Sequence, residues 1–191
     1  MKQIVYIMAI LLISVPVALA QQEEARSLLD SKQWAKAEVA YDHLLRSDRN
    51  DPVALNNRGF AKHRLEKYES AIRDYDRALK LKPHWSVALN NRGRALRHLY
   101  RYEEAQKDFS DAIKHAPGSV HGWNNRGRTW ANLGKFQKGI DDLTKAISLD
   151  PDYSYPYYNR GICYRALHND KQADADFEKA LKLGYPKERL E

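Results

Sequence analysis

The four-residue sequence Asn-Asn-Arg-Gly recurs at a fixed interval, and this recurrence constrains the fold more than any other feature of the chain. It occurs at residues 56–59, 90–93 and 124–127, and a fourth copy at 158–161 begins with Tyr158 instead of asparagine. Each copy lies 34 residues after the previous one. A constant period of this length indicates an array of similar structural units that stack to bury a common core.

Side-chain types counted from the glycine predict one helix around each copy. Apolar or aromatic residues recur four residues before the glycine and three and six residues after it, which is the spacing of one helical face. We therefore predict first helices over residues 53–65, 87–99, 121–133 and 155–167. Lys62 departs from the pattern, and we expect its stem to cover apolar surface while its amine reaches water.

A second helix is predicted in each unit by apolar, aromatic and alanine positions nine to nineteen residues after the glycine. These helices should span residues 69–81, 103–115, 137–149 and 171–183. Pro83, Pro117 and Pro151 should stop the first three, since proline cannot continue a helix. The glycine of the first helix and the alanines of the second would let the two antiparallel helices approach closely.

This pattern of Gly, aromatic, Ala, aromatic, Ala and Pro over 34 residues resembles the tetratricopeptide repeat (TPR) family, although arginine replaces the leucine commonest before the glycine. The resemblance implies an all-α, right-handed α-solenoid of about five helix-turn-helix units. It also identifies a weaker first unit, with Ala25 in the place of the glycine. The units would span about 21–51, 52–85, 86–119, 120–153 and 154–187, followed by a short tail at 188–191.

The N-terminal residues have a different composition from the repeats. Lys2 precedes an apolar run that ends in Ala18-Leu19-Ala20, and polar residues follow at once. This arrangement predicts a secretory signal peptide over residues 1–20, and hence a periplasmic or secreted protein. The alternative is an uncleaved membrane anchor, although the run is shorter than a spanning helix requires.

An aspartate follows each arginine of the recurring sequence after sixteen residues. A partly buried arginine needs a carboxylate partner, so we predict structural ion pairs, either between the helices of one unit or with the adjacent unit. The alternative is that the arginines anchor a ligand. The predicted pairs are Arg58 with Asp74, Arg92 with Asp108, Arg126 with Asp142, and Arg160 with Asp176.

The TPR resemblance also implies where a ligand would bind, because the first helices of such arrays line a concave groove. The asparagine amides could bind a peptide backbone, or they could bond to neighbouring helices or water. The arginines would favour an acidic segment or a C-terminal carboxylate, and the tyrosines could contact a side chain or a sugar. The expected groove residues are Asn57, Asn91, Asn125, Asn159, Arg64, Arg94, Arg97, Arg128, Tyr155 and Tyr158.

No catalytic constellation, metal-ligand spacing or phosphate-binding loop occurs in the sequence, so we expect a protein that is not an enzyme and needs no cofactor or metal. The net charge of +7 is spread along the chain without a basic patch, which argues against nucleic-acid binding. The single cysteine, Cys163, cannot form an internal disulfide and should be buried.

The expected function is a scaffold that binds a protein or peptide in a basic, Asn-lined groove. The alternative is a structural or glycan-associated envelope module that self-assembles through the open ends of the array. Membrane contact is expected only if the signal sequence is retained.

Overall fold

A computed structural model describes residues 19–186, and within that range all regular secondary structure is helical. The predicted tail at 188–191 lies outside the described residues, as does the predicted signal peptide except for residues 19 and 20, which are helical. The helices are α1 (19–30 as described), α2 (Trp34–Ser47), α3 (Pro52–Arg64), α4 (Tyr68–Leu81), α5 (Ser86–His98), α6 (Tyr102–His115), α7 (Val120–Asn132), α8 (Phe136–Leu149), α9 (Ser154–Ala166) and α10 (Asp170–Lys182).

The predicted helices are present, with first helices that begin and end one residue earlier than expected. At α3 the reason is visible in the cap, where the carboxylate of Asp51 accepts a hydrogen bond from the amide of Val53 and Pro52 occupies the first helical position. The second helices end two residues before Pro83, Pro117 and Pro151. Among residues 19–186, no helix is long and apolar enough to cross a membrane.

The chain divides into two compact units, one ending at Lys82 and the other beginning at Pro83. In the first, α2 contacts α3 and α3 pairs with α4. In the second, α5 pairs with α6, α7 with α8 and α9 with α10, and successive pairs contact each other. The first helices α5, α7 and α9 also contact one another in order, which places them side by side on one face. We call the side of these three helices that carries Asn90, Arg94, Arg128 and Tyr155 the first-helix face.

The close approach within each helix pair depends on the glycine of the recurring sequence. A Cβ atom added at Gly93 would lie 2.8 Å from Cε1 of Phe109, and one added at Gly127 would lie 2.7 Å from Cγ of Leu143. Phe109 and Leu143 are fully buried. A side chain at either glycine would therefore meet a neighbour that has no open space to move into.

The lone cysteine lies in the core of the second unit. Cys163 is fully buried with Ile140 and Leu143, and its Sγ atom faces Gly139. Burial raises the pKa of the thiol to about 11. The group is therefore protonated at neutral pH and behaves as a small apolar side chain.

The turn between the helices of a pair requires a left-handed backbone at one position, which the sequence did not reveal. In these turns the residue with positive φ lies seven positions after the glycine, or after Ala25 in the first unit: Lys32, Glu66, Tyr100, Gly134 and His168, with φ between 58° and 70°. Only one is glycine. The other four bear the strain of a side chain in this conformation.

Replacing Gly93 with valine should therefore overpack the contact between α5 and α6. We expect the free energy of unfolding to fall by about 1–3 kcal/mol, measured by urea denaturation followed by circular dichroism. Gly118→Val is the matched control, because a Cβ atom at Gly118 would meet nothing within 4 Å. An equal loss in both variants would contradict a steric origin.

Two substitutions at the left-handed turn positions should change the free energy of unfolding in opposite directions. Gly134→Ala introduces a Cβ atom at φ 70° and should lower the free energy of unfolding by about 1 kcal/mol. His168→Gly relieves the same strain and should raise the free energy of unfolding by about 0.5 kcal/mol. The gain is this small because glycine also increases the entropy of the unfolded chain. Calorimetric unfolding of both variants measures the two effects, and a loss in His168→Gly would refute this account.

Candidate ligand-binding face and the arginine network

The arginine of each recurring sequence joins its own helix to the second helix of the same pair. The Nε atom of Arg126 donates to Oδ2 of Asp142 at 2.7 Å, and its Nη2 atom donates to Oδ1 at 2.8 Å. Side-chain exposure is 19% for Arg126 and 8% for Asp142. This is the bidentate geometry that a planar guanidinium makes with a carboxylate.

The same two-point contact occurs at all four arginines. Arg58 binds Asp74, Arg92 binds Asp108 and Arg160 binds Asp176 through the corresponding atoms. Each of the four arginines thus pairs with the aspartate that follows it by sixteen residues. The bonds with Asp74 raise the pKa of Arg58. At Arg160, burial alone would lower the pKa, but the hydrogen bond and charge of Asp176 outweigh it, so the pKa is raised.

The remaining terminal nitrogen of three of these arginines reaches the preceding helix pair. Nη1 of Arg58 donates to Asp42, that of Arg126 to Ser110 and that of Arg160 to Thr144. Each acceptor lies on the second helix of the previous pair, sixteen residues before the arginine. The four predicted ion pairs therefore lie within one helix pair, and of these three contacts with the preceding pair only that of Arg58 with Asp42 is ionic.

Lys62 does not behave as the sequence predicted. Its amine donates to Oδ2 of Asp74 at 2.8 Å, and its side chain is only 12% exposed. The expectation that this amine reaches water was wrong, because Asp74 offers a buried carboxylate oxygen close to its end. Asp74 thus accepts from both Arg58 and Lys62 in the first compact unit.

The asparagine amides lie between neighbouring first helices more than they face outward. Asn125 donates from Nδ2 to Oδ1 of Asn90 at 3.0 Å, and Asn159 donates to Asn124 at 2.9 Å. Asn159 and Asn124 are buried. In the first compact unit, Asn57 donates to the hydroxyl of Tyr41 at 3.0 Å. Asn91 is half-buried.

These contacts follow the second of the two interpretations of the amides, bonding to neighbouring helices. An amide donor held by the next helix is not available to a peptide backbone. The reason is the lateral spacing of the first helices, which brings the second asparagine of one copy onto the first asparagine of the copy before it. A continuous ladder of free amides is therefore replaced by bonds that fix the helices side by side.

The predicted groove arginines fall into two groups. Arg64 lies over the ring of Trp34, 5.0 Å from its centre, in the first compact unit. Arg97 and Arg128 lie in the second unit, and no carboxylate among the described residues pairs with either of them. The Nε atom of Arg97 is buried and has no hydrogen-bond partner there. Arg94 lies one turn before Arg97 on α5.

The helices that carry these arginines contain no acid. The sequences of α5, α7 and α9 have neither aspartate nor glutamate, whereas Arg94 and Arg97 on α5 and Arg128 on α7 are all positive. Burial, together with the charges of Arg128 and Arg94, lowers the pKa of Arg97 to about 9. The guanidinium is therefore charged at neutral pH, in surroundings that disfavour the charge.

The aromatic residues predicted for the groove belong to a connected row. Tyr155 contacts Tyr153 at 5.4 Å between ring centres, and Tyr153 contacts His121 at 5.2 Å. Tyr158 stacks on Tyr185 at 4.2 Å, with an 18° angle between the rings, and Tyr155 meets Tyr185 edge to face. Tyr158 thus packs against the residues that follow α10, while Tyr155 continues the row towards α7.

Sequence reasoning missed Tyr153 and Tyr185 as members of this row. The ring of Tyr153 lies between His121 on α7 and Tyr155 on α9, and the charge of Arg94 acts on its hydroxyl. Burial is the larger influence, and it raises the pKa of Tyr153. Tyr153 lies at the N-cap of α9 and Tyr155 in its first turn, so the available signal was the group of tyrosines at the start of this helix.

The first-helix face can make ionic and aromatic contacts with a ligand. Within residues 19–186, no group of three or more His, Cys, Asp or Glu side chains is placed to hold a metal ion. The guanidinium groups of Arg97 and Arg128 can donate hydrogen bonds to an anionic group, and the tyrosine row offers flat apolar surface.

Known protein families include one whose sequence models match this repeated architecture. Family models described as tetratricopeptide repeat match residues 52–84, 86–119, 121–153 and 143–182, which together are more than half of the chain. The chain belongs to the tetratricopeptide repeat family. TPR proteins are typically non-enzymatic interaction scaffolds whose domains bind protein or peptide partners.

Solved structures share the fold at low sequence identity. MamA from Desulfovibrio magneticus RS-1 is 24% identical with a TM-score of 0.77, covering 91% of this chain and 96% of that chain. TTC0263, a thermophilic TPR protein from Thermus thermophilus, is 20% identical with a TM-score of 0.75, covering 91% and 94%.

YrrB, described as a TPR protein with an unusual peptide-binding site, is 20% identical with a TM-score of 0.70, covering 89% of this chain and 88% of its own. Among curated proteins, none matches the sequence significantly. At these identities the likeness establishes the fold alone.

Removal of one carboxylate from the arginine network should destabilise this TPR protein strongly. Asp142→Ala leaves the largely buried Arg126 without its charge partner, so we expect a loss of about 3 kcal/mol in the free energy of unfolding. The double variant Arg126→Met/Asp142→Leu should lose less, because neither charge remains buried.

Chemical denaturation of the three proteins provides the measurement. Glu104→Ala is the control, since the Arg101–Glu104 pair is about half exposed on both sides and should contribute little. A double variant less stable than Asp142→Ala would show that the pair contributes through more than charge compensation.

Proposed function

We propose that this TPR protein is a scaffold that binds an acidic peptide or protein segment across the first-helix face of its second compact unit. The single observation that carries the proposal is the contrast between two sets of arginines. Those that precede the glycine are paired with aspartate, as in Arg126 with Asp142. Arg97 and Arg128, on helices without any acid, have no carboxylate partner among the residues described.

Charge complementarity supports an acidic ligand. A guanidinium that is partly removed from water and lacks a counter-charge gains more from a carboxylate than an exposed one does. The three first helices contribute no competing acid from their own sequences. A segment rich in Asp or Glu, or one that ends in a free carboxylate, supplies the missing charge.

The aromatic row supports contact with side chains at one end of the same face. His121, Tyr153 and Tyr155 follow one another with ring centres 5.2 Å and 5.4 Å apart. Tyrosine rings contribute apolar contact area at small entropic cost, and their hydroxyls can bond to a ligand. Because most of the asparagine amides bond to each other, selectivity on this face is proposed to come from arginine and tyrosine.

Peptide binding tests the proposal directly. Glutamate-rich peptides should bind the purified protein more tightly than peptides in which glutamine replaces each glutamate, measured by fluorescence anisotropy. The variant Arg94→Ala/Arg128→Ala should weaken the acidic peptides by about tenfold or more, since each charge-assisted contact contributes on the order of 1–3 kcal/mol.

The control variant also removes two positive charges, but from positions outside the first-helix face of the second unit. Lys114 and Lys145 lie on the second helices α6 and α8 and are exposed. Lys114→Ala/Lys145→Ala should bind the acidic peptides as the wild type does. Equal weakening in both double variants would indicate net charge as the cause and would eliminate the first-helix face as the site.

Export is part of the proposal, with the scaffold acting in the periplasm or outside the cell. It rests on the charged start, apolar run and Ala18-Leu19-Ala20 of the N-terminal segment. Fractionation of cells that express the whole chain, with the mass of the recovered protein, tests it. A mass that begins at Gln21 in a soluble exported fraction is expected, whereas a full-length chain in the membrane fraction would favour retention as an anchor.

Self-association is the second candidate, and it is favoured by a hollow at the N-terminal helix pair. A cavity of about 680 Å³ lies between α1 and α2, lined partly by Leu28, Val39 and Leu44. Val39 is 55% exposed. Such an apolar surface at the end of an array can receive a second copy. Sedimentation equilibrium should then show a concentration-dependent dimer that Val39→Glu abolishes, and a monomer at all concentrations would exclude this candidate.

A further inference from the structure

The guanidinium of Arg97, which has no carboxylate partner among the described residues, lies at a place where three positive side chains meet. The bond from Asn125 to Asn90 fixes the register of α7 against α5. Arg94 lies four residues after Asn90, and Arg128 lies three residues after Asn125, so each is one turn further along the same face. Arg97 follows Arg94 by three residues. The charges of both neighbours act on Arg97, which agrees with this placement.

This arrangement is costly without a ligand. The buried Nε atom of Arg97 donates to no described acceptor, and a buried donor without a partner costs free energy. Like charges on Arg94 and Arg128 add repulsion. Elsewhere the chain satisfies its partly buried arginines, as Arg126 and Arg160 each make three hydrogen bonds. The exception at Arg97 therefore points to a counter-charge supplied from outside.

We infer that Arg94, Arg97 and Arg128 form a binding site for a doubly charged tetrahedral oxyanion, a phosphate group. The inference deepens the proposed function and rests on it for the nature of the partner, which would carry the group on a polypeptide. A carboxylate brings one negative charge to the guanidinium groups of Arg97 and Arg128, two positive charges without a carboxylate partner among the described residues. A phosphate monoester brings nearly two and offers three acceptor oxygens, which matches several guanidinium donors better.

Calorimetric titration of the purified protein with inorganic phosphate at constant ionic strength tests the site. We expect saturable binding that sulfate competes with and acetate does not. Arg97→Met keeps most of the side-chain volume without the charge and should weaken phosphate binding by about tenfold or more. Lys114→Met, on the exposed side of α6, should leave it unchanged.

Thermal unfolding separates this role from a structural one. Without phosphate, Arg97→Met should raise the Tm, because a buried donor and an uncompensated charge are removed. Added phosphate should raise the Tm of the wild type but not the Tm of Arg97→Met. A variant that loses Tm in the absence of phosphate and still responds to phosphate would mean that Arg97 is only structural, which overturns the inference. Arg128→Gln, at an exposed position, provides a second variant that should weaken phosphate binding without affecting the fold.

A peptide with one phosphoserine and no Asp or Glu identifies the source of the group. Binding tighter than that of inorganic phosphate supports the polypeptide partner, and equal binding supports the site with a free anion as its ligand. Phosphate binding that is absent, or unchanged in Arg97→Met, refutes the phosphate site even if glutamate-rich peptides still bind, in which case the proposed function stands alone. Phosphate binding without any peptide binding would refute the proposed function and leave the anion site.

Discussion

The bidentate bond between the arginine of each recurring sequence and the aspartate sixteen residues later is the contact on which the rest of the array depends. Arg126 illustrates it, with two nitrogens on Asp142 and the third on Ser110 of the preceding helix pair. Because the pair is largely buried, a shift of α8 against α7 would leave a charge without its partner. A shift of α6 would break the hydrogen bond to Ser110. One side chain thus fixes both the spacing within a pair and the register between pairs.

This contact also shows how one helix can direct two arginines to different surroundings. Successive residues of a helix are separated by about 100° around its axis. The position before the glycine and the position after it are therefore on nearly opposite sides. Arg92 faces the second helices and binds Asp108, whereas Arg94 faces away from them. The same helix thus directs one arginine to the second helix of its pair and another to the first-helix face.

Tight helix contact at the glycine is what makes the bidentate geometry possible. Aromatic or leucine side chains of the second helix lie directly over the glycines, as Phe109 does over Gly93 and Leu143 over Gly127. The helices can then approach closely enough for an arginine fork to reach a carboxylate on the neighbouring helix. Because the sequence repeats every 34 residues, the same contacts bury the helix interfaces of several units.

The helix pairs, their boundaries to within about a residue and the arginine–aspartate partners were predictable from the sequence, because they depend on spacings within one unit. The fate of the asparagines was not. Whether Asn125 faces a ligand or Asn90 depends on the lateral offset between α5 and α7, which no periodicity within a unit encodes. The left-handed residue of each turn was hidden for another reason, since Glu66, Tyr100 and His168 share the conformation without sharing a residue type.

The sequence by itself determined that this protein is a TPR array with paired helices and buried ion pairs, since a side chain's position along a helix decides which face it occupies. Only the tertiary structure decided which polar groups the array uses for itself and which it leaves over. That division depends on distances between helices of different units. It assigned the amides to helix contacts and left Arg97 and Arg128 without carboxylate partners among the described residues, because the first helices α5, α7 and α9 carry no acid.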